Sequence, residues 1–131
     1  MKLCPECGKE AEGWECPSCG WKVETIEGFP AFAPSFAIEN EGFKAGYFSE
    51  LASLEEKNFW FRARNRLIID AMKRHFPDAS KCMEVGCGTG YVLSGIRRAF
   101  PGMKLSGSEI YASGLEFASR RAAGVELIQM D

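Results

Sequence analysis

The sequence predicts an α/β chain of the doubly wound type with a small cysteine module ahead of it, and three observations predict it. Strand-like and helix-like runs alternate from residue 81 to residue 131, the order that builds a parallel sheet with crossover helices. The first of those strands ends in Glu84, Gly86, Gly88 and Gly90, an E-x-G-x-G-x-G junction where the pattern turns from strand to helix. Near the start, Cys4, Cys7, Cys16 and Cys19 fall in a C-x2-C-x8-C-x2-C spacing. The expected organisation is a metal ribbon over residues 1–28, an aromatic-rich connection over 29–53 and a partial α/β domain over 54–131.

Composition bounds the rest. The 131 residues are 46% hydrophobic and 26% charged, which is globular rather than disordered or fibrous. A net charge of -2 gives no overall attraction for nucleic acid, although a whole-chain sum leaves room for a local basic patch. No apolar run is long enough to span a bilayer, and the start goes straight into polar, cysteine-rich sequence, so a cytoplasmic protein without a membrane partner is expected. In that reducing compartment paired cysteines point to metal or thiol chemistry rather than disulfides.

Cys4-Pro-Glu-Cys7-Gly8 and Cys16-Pro-Ser-Cys19-Gly20 are near-identical turns. Proline fixes the chain after the first thiolate, glycine permits a positive φ after the second, and two such turns facing each other offer four sulfurs to Zn²⁺. The module resembles a small zinc ribbon, with Trp14 as its large apolar cover; iron in a rubredoxin-like site is the alternative. The expected role is a staple for a segment too small to bury a core. Cys82 and Cys87 fall outside the pattern, as a buried strand residue and a small filler in the glycine loop.

Residues 21–26 alternate apolar and polar up to Gly28 and read as one strand closing the metal module. Residues 29–36 resist regular structure. Seven of the ten phenylalanines lie between Phe29 and Phe61, too apolar for a solvated linker, so this stretch must pack on the α/β domain after it. Residues 54–76 read as one helix, with Leu67, Ile68, Ala71, Met72 and Phe76 on a stripe and Pro77 as its stop. His75 suits the helix end as a dipole-favoured residue more than as a base.

Strand 81–85, loop 86–90 and a helix carrying Val92, Leu93, Ile96, Ala99 and Phe100 form the first β-α unit. A second strand delivers Glu109 nineteen residues after Gly90, where an acid that accepts ribose hydroxyls belongs. A helix with Tyr111, Leu115, Ala118 and Ala122 on one face leads to a third strand that ends at Asp131.

Glu84, Gly86, Gly88 and Gly90 together resemble the first motif of the class I, Rossmann-like methyltransferases that use S-adenosylmethionine. The resemblance implies that Glu84, Gly86, Cys87, Gly88, Thr89 and Gly90 approach the cofactor, that Ile110 packs on its adenine and that Asp131 faces the adenine amino group. Residues 55–66 also resemble the segment preceding this motif in many bacterial members. That implies a helix over the cofactor, with Phe59, Trp60, Arg62 and Asn65 as wall candidates and an arginine on its carboxylate. Ordinary core aromatics and solvated arginines are the plain alternative for these residues.

A dinucleotide site would read G-x-G-x-x-G, and here the third glycine arrives one residue early. S-adenosylmethionine carries no pyrophosphate, so its site needs close backbone approach and an acid near the cationic methionine end rather than an amide nest. Glu84 supplies that acid. A packing-only glycine cluster is the remaining reading.

The resemblance implies methyl transfer by in-line displacement at the sulfonium, with no assignable catalytic base in this chain. The acceptor could be a small molecule, a protein or RNA. The family's sheet runs 3-2-1-4-5-7-6, so the chain is expected to be an N-terminal piece lacking the C-terminal half of the fold and nearly inactive alone. A zinc module joined to this core also resembles ribosomal RNA guanine methyltransferases, but Cys19-Gly20-Trp21 stands where their metal site ends in histidine and a Phe-Asp pair. A non-catalytic zinc-ribbon interaction module is the competing class.

Overall fold

The computed structural model describes residues 2–38, 44 and 46–131. The part of the expected connection at 39–43 and 45, Phe43 included, lies outside the described residues. Strands β1 (Lys2–Leu3) and β2 (Glu10–Ala11) pair antiparallel around the first cysteine turn. The two turns are built alike. The Gly8 amide donates to the Cys4 carbonyl and that of Gly20 to the Cys16 carbonyl, each at 2.9 Å, and both glycines have positive φ (70° and 74°), which only glycine adopts without strain.

The stretch 21–26 divides in two. Its first half closes the metal module: the Cys16 amide donates to the Trp21 carbonyl, the Val23 amide to the Trp14 carbonyl, and Glu15 bridges to Lys22. Its second half, β3 (Glu24–Ile26), turns through Glu27 and Gly28, both at positive φ, into β4 (Phe29–Ala31). Two central residues with positive φ make the turn that matches the twist of a hairpin. β4 then runs parallel to the last strand of the chain, Ala31 opposite Gln129. The expectation of irregular structure over 29–36 is therefore corrected to a short strand and a 3-10 turn, Pro34–Phe36. Pro30 hid the strand, because proline cannot donate to a ladder.

The single helix expected over 54–76 is also two. α1 (Gly46–Glu55) ends in a turn, and α2 (Phe59–His75) starts afresh with Asn58 as its cap, whose side-chain oxygen accepts from the Trp60 amide at 2.9 Å. Asparagine favours a cap over a helix interior because its short amide reaches the free backbone donors. The new phase turns buried Asn65 and half-buried Ile68, Ile69 and Met72 inward and leaves Leu67 and Phe76 exposed, against the predicted stripe. Among the described residues no helix is long and apolar enough to cross a membrane.

From residue 81 the elements follow the predicted order: β5 (Lys81–Val85), α3 (Tyr91–Ala99), β6 (Lys104–Glu109), α4 (Ala112–Arg121) and β7 (Glu126–Gln129). β5 pairs parallel with β6, and β6 with β7, so the larger sheet runs β3-β4-β7-β6-β5. The two outer strands, β3 and β4, had no counterpart in the predicted sheet. Leu93 of α3, Leu115 and Ala118 of α4, and Leu127 of β7 share one cluster with Cys87, which places both helices on one face. Leu93, Leu105 and Leu115 are fully buried, and each contributes about 1.5–3 kcal/mol of apolar transfer. β5 is the sheet's edge, pairing only with β6 among the described residues, and Val85 on it is 71% exposed.

Candidate cofactor site and metal centre

The parallel strands bring Glu84, Glu109 and Asp131 to one edge of the sheet. Glu84 lies opposite Gly107 near the end of β5, Glu109 closes β6, and Asp131 follows Met130, whose amide donates to the Glu109 carbonyl at 3.2 Å. That carboxyl edge is where ligands of open α/β sheets bind.

Between β5 and α3 the three glycines of the loop all have positive φ, at 72°, 51° and 72°, but they do different things. A Cβ on Gly90 would sit 2.8 Å from the Ala118 backbone, so this glycine lets the loop press on α4. A Cβ on Gly86 or Gly88 would meet nothing within 4 Å. The chain is bare there and faces open space, the form that close approach of a ligand to backbone requires.

Glu109 organises the loop. One carboxylate oxygen accepts from the Gly88 amide at 2.9 Å, and the other from the Ile110 and Tyr111 amides at 2.9 and 3.2 Å. It is 8% exposed, so these charge-assisted bonds are shielded from water. A carboxylate has about four acceptor positions, which leaves about one for a ligand hydroxyl. Half-buried Ile110 is held from behind by Gln129, whose amide nitrogen donates to the carbonyls of Ile110 and Ala33 at 2.8 Å each.

Thr89 is tied down on the other side. Its hydroxyl meets both oxygens of buried Glu55, and Arg121 pairs with Glu55 while donating to the Thr89 hydroxyl and the Ala52 carbonyl. The end of α1, the loop and the end of α4 thus share one polar knot. Cys87 is a filler, as expected: it is buried, and its thiol is pushed up to about 12 by burial and then by the charges of Glu84 and Glu109. It is no nucleophile at neutral pH.

Beside the loop lies a cavity bounded by Leu51, Phe61, Arg64, Glu84, Gly86 and Tyr91. One oxygen of Glu84 is buried there without a hydrogen-bond partner. Burial raises the Glu84 carboxyl from its ordinary 4.5 to about 7, against the pull of Arg64. The folded chain therefore keeps a proton that the unfolded chain has released between about 4.5 and 7. That contribution to stability is full below the lower value and is lost as pH rises through the upper one. Thermal melts of Glu84→Gln are expected to lack the part of the decline that the wild type shows from pH 5 to pH 8; superimposable profiles would contradict this assignment.

Of the wall residues inferred for α2, Trp60 is 53% exposed, edge-on to Phe61 at 5.1 Å, and Arg62 opens on a separate groove between α2 and α3. The residues facing the cavity are Phe61 and Arg64, one turn apart. Asn65 packs on α3 instead, so close that a Cβ on Gly95 would lie 2.4 Å from its amide nitrogen. Recognising Asn58 as a cap would have set this phase. Glu55, Arg121 and Gln129 give no local signal.

At the other end of the chain, the Sγ atoms of Cys4, Cys7, Cys16 and Cys19 all lie within 4.8 Å of one another. Cys4 and Cys19 are 3.7 Å apart and Cys7 and Cys16 are 3.6 Å apart. Four sulfurs about 2.3 Å from a tetrahedral ion stand about 3.8 Å from each other, so the donor set fits a metal of that size. Trp14 and Trp21 flank the cluster, and Phe32 meets their rings at 5.7 and 6.1 Å. Lys2 lies over the Trp14 ring and pairs with Glu126 of β7, which joins the module to the sheet.

From β5 onward, strand, glycine loop, helix and acid-tipped second strand have the architecture of part of the class I, Rossmann-like methyltransferase fold, with the four-cysteine cluster ahead of it. Solved structures agree. The chain is similar to CalS10, an amino pentose methyltransferase from Micromonospora echinaspora involved in calicheamicin biosynthesis and solved with S-adenosylmethionine bound: 30% identity over 72% of this chain and 37% of that one, TM-score 0.53. It is similar to DesVI of Streptomyces venezuelae at 26% identity, over 68% of this chain and 36% of that one, TM-score 0.52. The sugar N-methyltransferase KedS8 from Streptoalloteichus sp ATCC 53650 shares the fold at 22% identity, over 72% of this chain and 35% of that one, TM-score 0.54. The chain spans about a third of the length of these structures. No protein-family model matches it, and no curated protein does.

Proposed function

We propose that this chain is the cofactor-binding part of an S-adenosylmethionine-dependent methyltransferase, with a structural Zn²⁺ held by Cys4, Cys7, Cys16 and Cys19. The observation that carries the reading is the bare, positive-φ backbone at Gly86 and Gly88 anchored to the Glu109 carboxylate. Bound S-adenosylmethionine would supply an already activated methyl group, so the protein's part is to align and to exclude water.

In this reading Glu109 takes one ribose hydroxyl at its remaining acceptor position, Ile110 lies against adenine, and Asp131 accepts from the adenine amino group. The unpartnered oxygen of Glu84 accepts from the α-ammonium group, and Arg64 takes over the carboxylate role inferred for Arg62. Phe61 and Tyr91 close the side of the cavity. Trp60 reaches the cofactor only through Phe61. The structural neighbours extend well beyond the region they share with this chain, and in this reading none of these residues binds the methyl acceptor. Four cysteines held as zinc thiolates rather than disulfides suit a reducing, cytoplasmic setting.

Titration calorimetry of the metal-loaded chain tests the reading against a non-catalytic module. S-adenosylhomocysteine is expected to bind at one site per chain and NAD to give no heat. A folded chain that binds neither would favour the interaction module.

A further inference from the structure

A groove runs between α2 and α3, away from the cofactor cavity. Tyr91 stands at the head of both, its ring edge-on to Phe61 at 6.4 Å. The floor is fixed where Asn65 presses on Gly95 and donates to the Tyr91 carbonyl at 3.3 Å. Four cations line the groove, Arg62, Arg66 and Lys73 from α2 and Arg98 from α3, against one carboxylate, Asp70. None of the four has a carboxylate partner within 4 Å among the described residues. In a chain of net charge -2, this is a local excess that the sum conceals.

The spacing has a direction. Residues 62, 66 and 73 recur at four and eleven positions, which keeps them on one face of a helix over about 16 Å. At about 3.4 Å per nucleotide, such a stripe follows about five phosphates of one strand. At the head of the same helix Phe59, one turn before Arg62, is 80% exposed, a flat apolar face next to the charged stripe. That combination serves stacked bases along a charged backbone, in which every unit carries both a phosphate and a π-face, whereas the carboxylates of an acidic peptide do not stack. Guanidinium forks also match phosphate oxygens two at a time.

The geometry points to this groove as the docking surface for a single-stranded nucleic acid. In naming that strand as the methyl acceptor, the inference rests on the methyltransferase reading. The acceptors of the sugar methyltransferases carry no weight against it, because most of their length lies beyond the region shared with this chain.

Fluorescence anisotropy of a labelled single-stranded RNA dodecamer with the metal-loaded chain, no methyl donor present, tests it. Three net neutralised phosphates give a slope of about -2 in log affinity against log salt, so binding weakens about 20-fold from 50 to 200 mM salt. Arg66→Glu with Arg98→Glu is expected to lower affinity by at least about 10-fold at unchanged melting temperature. Arg74→Glu, on α2 outside the groove, is expected to leave binding intact. Phe59→Ala is expected to weaken binding without altering the salt slope.

No anisotropy change, loss equal to the pair's on Arg74→Glu, or competition by polyglutamate as effective as by RNA would overturn the inference. Such a failure would leave the donor site standing. Conversely, a chain that binds RNA but no S-adenosylhomocysteine would sink the methyltransferase reading and leave the groove.

Discussion

Withdrawing the metal from the four-cysteine cluster, with a strong chelator or by Cys16→Ser, is expected to unfold the N-terminal module. Two strands of two residues each cannot hold two cysteine turns by themselves. Structural zinc contributes about 10–16 kcal/mol in small modules of this kind, and nothing else in residues 2–23 comes near that figure. The effect should spread to Phe32, which packs on Trp14 and Trp21, and to the Lys2–Glu126 pair. Near-ultraviolet circular dichroism of the tryptophans checks it, alongside elemental analysis giving one zinc per chain. A tryptophan signal untouched by metal removal would contradict a structural role.

Glu109→Ala carries the second large effect. The carboxylate accepts from three backbone amides in a nearly buried position, and hydrogen bonds to a charged group are worth about 1.5–3 kcal/mol each, with a further cost for donors left unpaired. Because the three share one side chain, their sum is not additive, and a loss of about 3–5 kcal/mol in unfolding free energy is expected. Affinity for S-adenosylhomocysteine should fall more than about 100-fold, since losing the ribose contact and losing the loop's anchor act together. Glu109→Gln separates the two. Its amide oxygen can keep two of the backbone donors, so the fold should recover more than binding does. Equal recovery of both would assign Glu109 a purely structural role.

Legibility in the sequence tracked how local each signal is. β5, the glycine loop, α3, β6, α4 and β7 emerged within a residue or two because apolar period and glycines agree along the chain. The cysteine turns were legible for the same reason, and their symmetry survives down to matching hydrogen bonds. The misses are places where distant contacts decide. Pro30 argues against a strand, yet β4 forms because β7 lies alongside it. Glu55 reads as a solvated helix residue and becomes buried only when Thr89 and Arg121 fold over it. Gln129, fully buried, serves Ala33 and Ile110, partners 96 and 19 positions away. The cap at Asn58 starts α2 in a phase that puts Phe61 and Arg64, rather than Trp60 and Arg62, at the cavity.

The exposed edge at β5 has a related origin. Val85 and Met83 are 71% and 44% exposed on a strand that pairs on one side only, and a bare apolar edge invites a further strand. Glu84 lies on that edge strand and shares the cavity beside the glycine loop with Arg64.

The central claim is that the 86–90 loop, held by Glu109, cradles the nucleoside cofactor. Amide resonances of the isotope-labelled chain, followed while S-adenosylhomocysteine is added, test it most directly. The largest displacements are expected at Gly86, Gly88 and Ile110, with the residues around the cysteine cluster unmoved. Displacements absent from the loop, or centred elsewhere in the chain, would contradict it.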